Sequence, residues 1–495
     1  MEAERSRRCV EIDRRQMVMR TIDVEGLIDS DHPARALWQI TGELDLSEFY
    51  TPIKSLADGP GRSCFDPRLL ICVWLYGYSR GIGSARELAR QIEMDPALQW
   101  LTGMDRINHH TLSDFRVDHK QALDELFAQV LGVLLHEGLI TLERVTQDGT
   151  KIKAAHASMG SFRTSAQIQK QVEVARQHMA ALAPEPQLRD RKAGARVRAA
   201  RERANKLGCA LQEIEKLRAS KKRDRKTFVP KVSGTEPEAR VMRSNEGGFV
   251  ASYNAQISTD AKYGLIISSV LANEVNDHHQ LKPAIERIQA VCGRVPKQML
   301  ADGDFTNNAS VTAAAEAGVD FYGSWSERRR DSASAKKALA SPDFQRDKFH
   351  YDSDQDVYIC PADKVLKPTG HMRHSDGSFQ IIYRSPAKQC HACPWHKQCC
   401  PPVPRRGGRQ ITRHGILASV AAFQAKMRTP EAQSIYRDRG RIAEFPHAWI
   451  KDKFRLRRFH VSGLLKAGIE LTWAALTFNL LALHRFRRVQ LPATA

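Results

Sequence analysis

Between residues 249 and 325 the chain alternates two kinds of segment, and that alternation limits the folds open to it. FVASYNAQISTD (249–260), GLIISSVLANEVND (264–277), KQMLADGDF (297–305) and VDFYGSW (319–325) have the texture of strands. HHQLKPAIERIQAVCG (278–293) and ASVTAAAEAG (309–318) stand among them and read as helices. An earlier segment, TLERVTQDGTKIKAA (141–155), alternates like a further strand. Strands followed by helices call for an α/β core. Two long stretches fit neither pattern, 161–230 and 326–430, and so interrupt that core.

The flanks are different. Residues 1–140 read as mostly helical: FDPRLLICVWLYGYSRGIGSARELARQIEMDPALQWLTG (65–103) has helical periodicity, broken at Gly81-Ile82-Gly83. Asp95-Pro96 opens a short helix, and Thr111-Leu-Ser-Asp114 resembles a capping-box start. Short helices with tight turns suit a helix-turn-helix and a plain helical bundle equally. The stretch 161–230 carries 18 Lys and Arg against 7 Asp and Glu, with Leu207, Leu211, Ile214 and Leu217 on one helical face. It reads as a basic helical hairpin with APEPQ (183–187) as the breaker. A solvated face over a small apolar stripe and a DNA-tracking arm both satisfy it. The expected units are 1–140, helical, and DNA-binding if it is a helix-turn-helix; 141–325, the first part of the α/β core; 326–430, polar, irregular and cysteine-rich; and 431–495, the closing helices.

Charge narrows the partners. The 495 residues include 76 Lys and Arg against 56 acids, a net charge of +20, which points to nucleic acid or an anionic surface. No run of about 18 uninterrupted apolar residues argues for a membrane span. VSGLLKAGIELTWAALTFNLLALH (461–484) contains Lys466 and Glu470 and reads as a buried helix. MEAERSRRCVEIDRRQ has no apolar signal-peptide region, so a cytoplasmic chain is expected, with its ten cysteines as thiols or metal ligands rather than disulfides.

Two acids stand out by position. Asp148 lies on the 141–155 strand or at a turn closing it, followed by Gly149, where the backbone passes close to something. Asp302 ends the apolar QMLADG and is also followed by glycine. Both are expected at strand ends, where α/β sheets gather ligands. A carboxylate there is costly unless paired or bound to metal, and a hard cation such as Mg²⁺ is held by a few carboxylates with substrate phosphate. Further on, IYRDRGRIAEFPHAWIK (435–451) reads as an amphipathic helical stretch in which Glu444 is seated among Arg437, Arg439, Arg441 and Lys451. Intrahelical ion pairing, worth a few tenths of a kcal/mol, would need no function. A carboxylate for metal among bases for a polyanion is the other reading.

Strand-Asp, strand-Asp, helix-Glu is similar to the order in the DDE transposases of bacterial insertion sequences. TQDGTKIKAAHAS resembles the family's first-aspartate strand, and LADGDFTNNASV the second. Tyr436, Arg439, Glu444 and Lys451 resemble the Y-x2-R-x3-E-x6-K signature of one subgroup, except that four residues rather than three separate Arg439 from Glu444. FDPRLLICVWLYGYSRGIGSARELAR…WLTGM…TLSDFR resembles the helical domain preceding the core. The resemblance implies an RNase H-like mixed sheet carrying two insertions. It also implies Asp148, Asp302 and Glu444 as ligands of Mg²⁺ or Mn²⁺, and Tyr436, Arg439 and Lys451 on DNA phosphates. The implied partners are double-stranded transposon ends and target DNA, with a homodimer in the synaptic complex and a nucleoid-associated protein when bound. Metal-activated water would cut a strand, and the freed 3′-OH would attack target DNA. Asp304 is a rival for Asp302, since strand alternation puts both on one face. Glu470 is a fallback for Glu444, though its apolar helix favours a buried structural role.

A separate cluster lies in YICPADK (358–364) and QCHACPWHKQCCPP (389–402). Cys360, Cys390, Cys393 and Cys399 suit a four-thiolate structural Zn²⁺, with Cys400, His391 or His396 as substitutes for one ligand. Free cytosolic thiols are the plainer alternative. A host nuclease would not need the basic arm, and an RNA-binding protein would leave the acids unexplained. A catalytically inactive, transposase-derived DNA-binding protein is the alternative to an active enzyme.

Overall fold

The computed structural model describes residues 14–490, apart from 18, 20, 55–62, 183–190, 221–227, 245–246, 326–340, 374–378, 401–407 and 416. The APEPQ breaker and Cys9 therefore lie outside the described residues.

Helices α1 (Pro33–Gly42), α2 (Pro67–Ser79), α3 (Ala85–Ile92), α4 (Pro96–Thr102), α5 (His109–Asp118) and α6 (Lys120–His136) fill the N-terminal region. Their starts follow local chemistry. Asp66 and Asp95 each accept a hydrogen bond from a first-turn amide, and a proline sits just inside each helix. The expected capping box at Thr111 is not used. Helix α5 begins two residues earlier, capped by Asn108, whose Oδ1 accepts from the His110 amide at 2.8 Å.

The chain then forms a mixed sheet from β1 (Arg144–Lys153), β2 (Arg240–Arg243), β3 (Phe249–Asp260), β4 (Ile266–Ala272), β5 (Gln298–Ala301) and β6 (Asp320–Gly323). Its order is β2-β3-β1-β5-β6, with β4 on the same edge of β3 as β2. β3 pairs antiparallel with β1, whereas β1, β5 and β6 run parallel. Parallel pairing needs crossovers, supplied by α9 (Leu281–Cys292) and α10 (Asn308–Glu316), once the arm helices α7 (Ser165–Leu182) and α8 (Arg191–Ser220) are counted. Between β1 and β2 the chain leaves the sheet as those two helices. Leu207 and Ile214 are buried between them with Ile168, Ala210 and Val232, and Leu211 and Leu217 pack alongside, so the leucine stripe is a hairpin core.

Residues 326–430 were expected to be irregular, and the structure corrects this. Strands β7 (His350–Asp352), β8 (Val357–Ile359), β9 (Val365–Arg373), β10 (Phe379–Arg384) and β11 (Gln410–Gly415) pair antiparallel in sequence order. They close over a small core of Phe349, Tyr358, Leu366, Ile381, Tyr383 and Ile411. Helix α11 (Ala418–Met427) leads back to the main sheet.

The 435–451 stretch is not one helix. It is α12 (Pro430–Arg437), then α13 (Arg439–Ala448), with Pro446 inside, then a widened π turn, Trp449–Lys453. Helix α14 (Leu464–Gln490) is long and apolar enough to cross a membrane by length and composition. Here it is mostly buried: Trp473, Leu476, Phe478 and Leu480 join one core with the N-terminal helices and the main sheet.

Candidate active site

The sheet register brings the two predicted aspartates together. β1 and β5 pair in parallel up to Gln147 beside Ala301, and the next residues on the two chains are Asp148 and Asp302. Asp302 leaves its strand, as expected. Asp148 does not: β1 continues to Lys153, so Asp148 is in mid-strand, paired with Ile257 of β3 on one side only. The parallel ladder stops at Gln147 because β5 is four residues long, so Asp148 has no partner on that side although its own strand continues and its side chain stays largely buried.

Electrostatics follow from that placement. Burial, reinforced by the nearby Asp302 and Asp277, pushes the Asp148 carboxyl up to about 6, although Arg439 and the Gly149 amide oppose the rise. Arg439 Nη1 lies 3.8 Å from Asp148 Oδ2, and the Gly149 N–H donates to Oδ1 at 2.9 Å. Burial likewise raises the Asp302 carboxyl, with Asp277 and Asp304 adding to the rise and the Asp304 amide and Arg439 countering it. That amide donates to Asp302 Oδ1 at 2.9 Å. Asp304 itself is exposed in the turn after the strand, so the alternation that paired it with Asp302 does not operate.

A third acid was missed. Asp277, in the loop after β4, is buried and accepts from Asn254 Nδ2 at 2.6 Å and Gln256 Nε2 at 2.5 Å, with Lys151 Nζ 3.7 Å away. Gln256 Oε1 in turn accepts from Gln147 Nε2 at 2.8 Å, and Gln147 Oε1 from the Ser258 hydroxyl at 2.6 Å. This buried polar ladder crosses β1 and β3 beside the aspartates. It also explains Gly149. A Cβ there would stand 2.6 Å from Asp277 Oδ1 and 2.7 Å from Gln256 Nε2, so only glycine lets the ladder pass. The single signal in the sequence was a run of amide and hydroxyl residues on one face of FVASYNAQISTD.

Helix α13 lies across β1 and β3 and delivers Arg439 to Asp148. Tyr436, half-buried one turn earlier, has its hydroxyl pushed up by burial and touches Arg439 and the Ser324 amide. The helix buries Ile442, Ala443 and Pro446, with Arg439 and His447 partly buried beside them. His447, which sequence reasoning passed over, is driven down to about 3 by burial, with Lys451 and Arg439 adding to the fall. Its Nε2 is buried with no hydrogen-bond partner among the described residues. Lys451 sits in the π turn, a distortion often found at functional sites. Glu444 is not gathered with the aspartates. It is exposed and makes no hydrogen bond or ion pair among the described residues, so the intrahelical ion pairing that would have explained it away is absent too.

Two family models match the chain. One, described as a transposase DDE domain, covers residues 359–484, and the other, a transposase domain (DUF772), covers residues 22–118. Both matches are to transposase domains of the kind found in insertion-sequence transposases. The first match contains the Tyr436, Arg439, Glu444 and Lys451 positions together with the cysteine cluster. No curated protein matches the chain significantly. Among solved structures, the piggyBac transposase synaptic complex with hairpin DNA is similar at 9% identity and a TM-score of 0.26, over 94% of this chain and 83% of that one. That likeness is too loose to bear on any residue.

DDE transposases generally work with divalent metal, and the carboxylates at this site are of the hard-oxygen type such an ion takes. Hard carboxylate oxygens crowd together, and their anionic forms are disfavoured by burial and by each other. Among the described residues, no three His, Cys, Asp or Glu side chains already stand close enough to hold an ion. Glu470 is engaged elsewhere. Fully buried, it takes the His460 amide at 2.8 Å and the His460 ring at 2.7 Å, and stands 3.6 Å from the buried Arg116, tying the N-terminal helices to α14.

Proposed function

We propose that this transposase cuts and joins DNA by metal-dependent phosphodiester chemistry at Asp148, Asp302 and Glu444. One observation carries the reading: the parallel register sets Asp148 beside Asp302 and α13, the helix that holds Glu444, lays Arg439 across them. The strand order β4-β3-β1-β5-β6, antiparallel up to β1 and parallel after it, supports an RNase H-like core.

Two Mg²⁺ or Mn²⁺ ions at these carboxylates would activate water and stabilise the charge on attacking and leaving oxygens. The protein's own groups do the rest. Asp148 and Asp302 are held rigid by their strands and turn amides, so the donor oxygens are pre-aimed. Arg439, Lys451 and Tyr436 bind backbone phosphates of double-stranded transposon ends, Arg439 being already within reach of the scissile position. Glu444, exposed on the same helix five residues beyond Arg439, would turn to the site when bound metal ions add positive charge beside the aspartates. Water attacks the phosphodiester and a 3′-OH leaves; that 3′-OH then attacks target DNA. Synapsis of two ends calls for a homodimer, and the arm α7–α8 with its excess of Lys and Arg provides a DNA-tracking surface.

Asp277 competes with Glu444 as third carboxylate because it already lies within electrostatic reach of both aspartates. Its oxygens are committed to Asn254, Gln256 and Lys151, which favours Glu444. The deciding assay uses the purified chain, Mg²⁺ and linear DNA bearing the repeats that flank its gene. Cleavage is expected for the native chain and lost in Asp148→Ala, Asp302→Ala and Glu444→Ala, with DNA binding retained. Cleavage by Glu444→Ala would move the third ligand to Asp277. Binding without cleavage by the native chain would make it an inactive DNA-binding descendant.

A further inference from the structure

The small antiparallel sheet has a problem of scale. Among the described residues, five strands close over a cluster of six buried side chains, a small apolar core for such a module. Beside that core lies a small cavity, about 30 Å³, the volume of a single water or ion. Cys360, Cys390, Cys393, Cys399, Cys400 and His396 all line it. The residues come from two distant parts of the chain. Cys360 directly follows β8, while the others lie on the connection from β10 to β11, in and around the short helices Ala387–His391 and His396–Cys399.

We propose that Cys360, Cys390, Cys393 and Cys399 bind one structural Zn²⁺, which staples the β10–β11 connection to the end of β8. Three features beyond the shared cavity support this. Backbone amides already point at two of the sulfurs: Lys364 N–H donates to Cys360 Sγ at 3.3 Å, and Arg409 N–H donates to Cys390 Sγ at 3.2 Å. Outer hydrogen bonds of this kind orient metal ligands and stabilise the thiolate form. The first of them depends on a tight turn in which Asp363 takes a left-handed conformation, φ 55°, bringing Lys364 back over the sulfur. Cys360 and Cys399 both pack on the small core, whereas Cys400 does not, which favours Cys399 over its neighbour as the fourth ligand. Finally, the wall is tied down on the far side by Arg409, which donates to the Cys399 carbonyl at 2.8 Å and the Phe344 carbonyl at 2.9 Å.

The sulfurs ring the cavity but are not yet at ligand separation, among the described residues. Zn–S bonds of about 2.3 Å require their side chains to rotate inward, and four protein ligands leave no open position for catalysis. Each thiol gives its proton to solvent on binding, so uptake weakens as pH falls. His396 Nδ1, buried without a hydrogen-bond partner among the described residues, competes with Cys400 as the alternative donor in the wall.

The test uses the full chain, stripped with a chelator and reloaded with Zn²⁺ or, as a spectroscopic probe, Co²⁺. One equivalent of tightly held metal is expected, with the thiolate charge-transfer and intense tetrahedral d–d bands of a four-sulfur Co²⁺ site. Cys360→Ser, Cys390→Ser, Cys393→Ser and Cys399→Ser should each lose that equivalent, while Cys400→Ser, His396→Ala and the remote Cys209→Ser keep it. Asp148→Ala and Asp302→Ala should also keep it, which separates this centre from the catalytic carboxylates. Where a variant does not fold, alkylation of the native chain decides: four mapped cysteines should be protected with Zn²⁺ and become reactive after chelation. The proposal is overturned if the native chain holds no stoichiometric metal, if the mapped cysteines form disulfides instead, or if loss follows Cys400 or His396 rather than Cys399.

Discussion

Replacing Asp148 by asparagine should stabilise the metal-free protein, because the site is built against its own charge. Burial and the neighbouring Asp302 move the Asp148 carboxyl from the ordinary 3.8 to about 6. A raised carboxyl pKa means that the folded chain keeps the proton to higher pH than the unfolded chain does. Folding stability is therefore whole below pH 4, falls between pH 4 and 6, and stays low above that. At about 1.4 kcal/mol for each tenfold change in proton affinity, the deficit at pH 8 is about 3 kcal/mol. Asparagine keeps the shape and an acceptor for the Gly149 amide but cannot ionise, so it should recover most of this. The assay is urea unfolding of native chain and Asp148→Asn in chelator at pH 4 and pH 8. The variant should be more stable by about 3 kcal/mol at pH 8 and near parity at pH 4. Millimolar Mg²⁺ should stabilise the native chain and leave the variant unmoved. An equal effect at both pH values, or none at pH 8, would refute the reasoning.

Gly149→Ala should cost about 1–3 kcal/mol in unfolding experiments and depress DNA cleavage, since its Cβ would meet Asp277 Oδ1 at 2.6 Å. Glu470→Leu strands the buried Arg116, which is 3% exposed, and should destabilise the chain by about 3–5 kcal/mol. If enough of that variant folds, it should still cleave, which would exclude Glu470 as a metal ligand. His447, held neutral down to about pH 3, should show no imidazole titration by NMR between pH 5 and 8. Arg439→Ala should push the Asp148 carboxyl above its present value, read as an alkaline shift in the pH dependence of Mg²⁺ binding.

Much of the sheet was legible because its strands are apolar and continuous. FVASYNAQISTD was bounded to the residue as β3, and QMLADG placed Asp302 just past β5. Gly149 was also legible as a close approach, though not what approached it. The small sheet was not. Its three-residue strands β7 and β8 are too short for alternation to register, and two of its buried residues are tyrosines that read as surface. Asp277 and His447 escaped for a different reason. A lone acid in a loop and a lone histidine on a helix have no local signature; each acquires meaning from what packs against it.

The sequence by itself determined the chemistry on offer: two Asp-Gly pairs on strand-like segments, a carboxylate among bases, thiols in a C-x2-C cluster and a net charge of +20. These are local properties, fixed by residue type and by neighbours a few positions away. The tertiary structure decided which of them meet. Gln147 and Ala301 are 154 residues apart yet pair in β1 and β5, and that single register sets Asp148 beside Asp302. The same packing lays Arg439 over them, threads the Asp277 ladder past Gly149 and leaves Glu444 at the surface. Burial and proximity of charge, which set the ionisation of a carboxylate, exist only once the chain has folded.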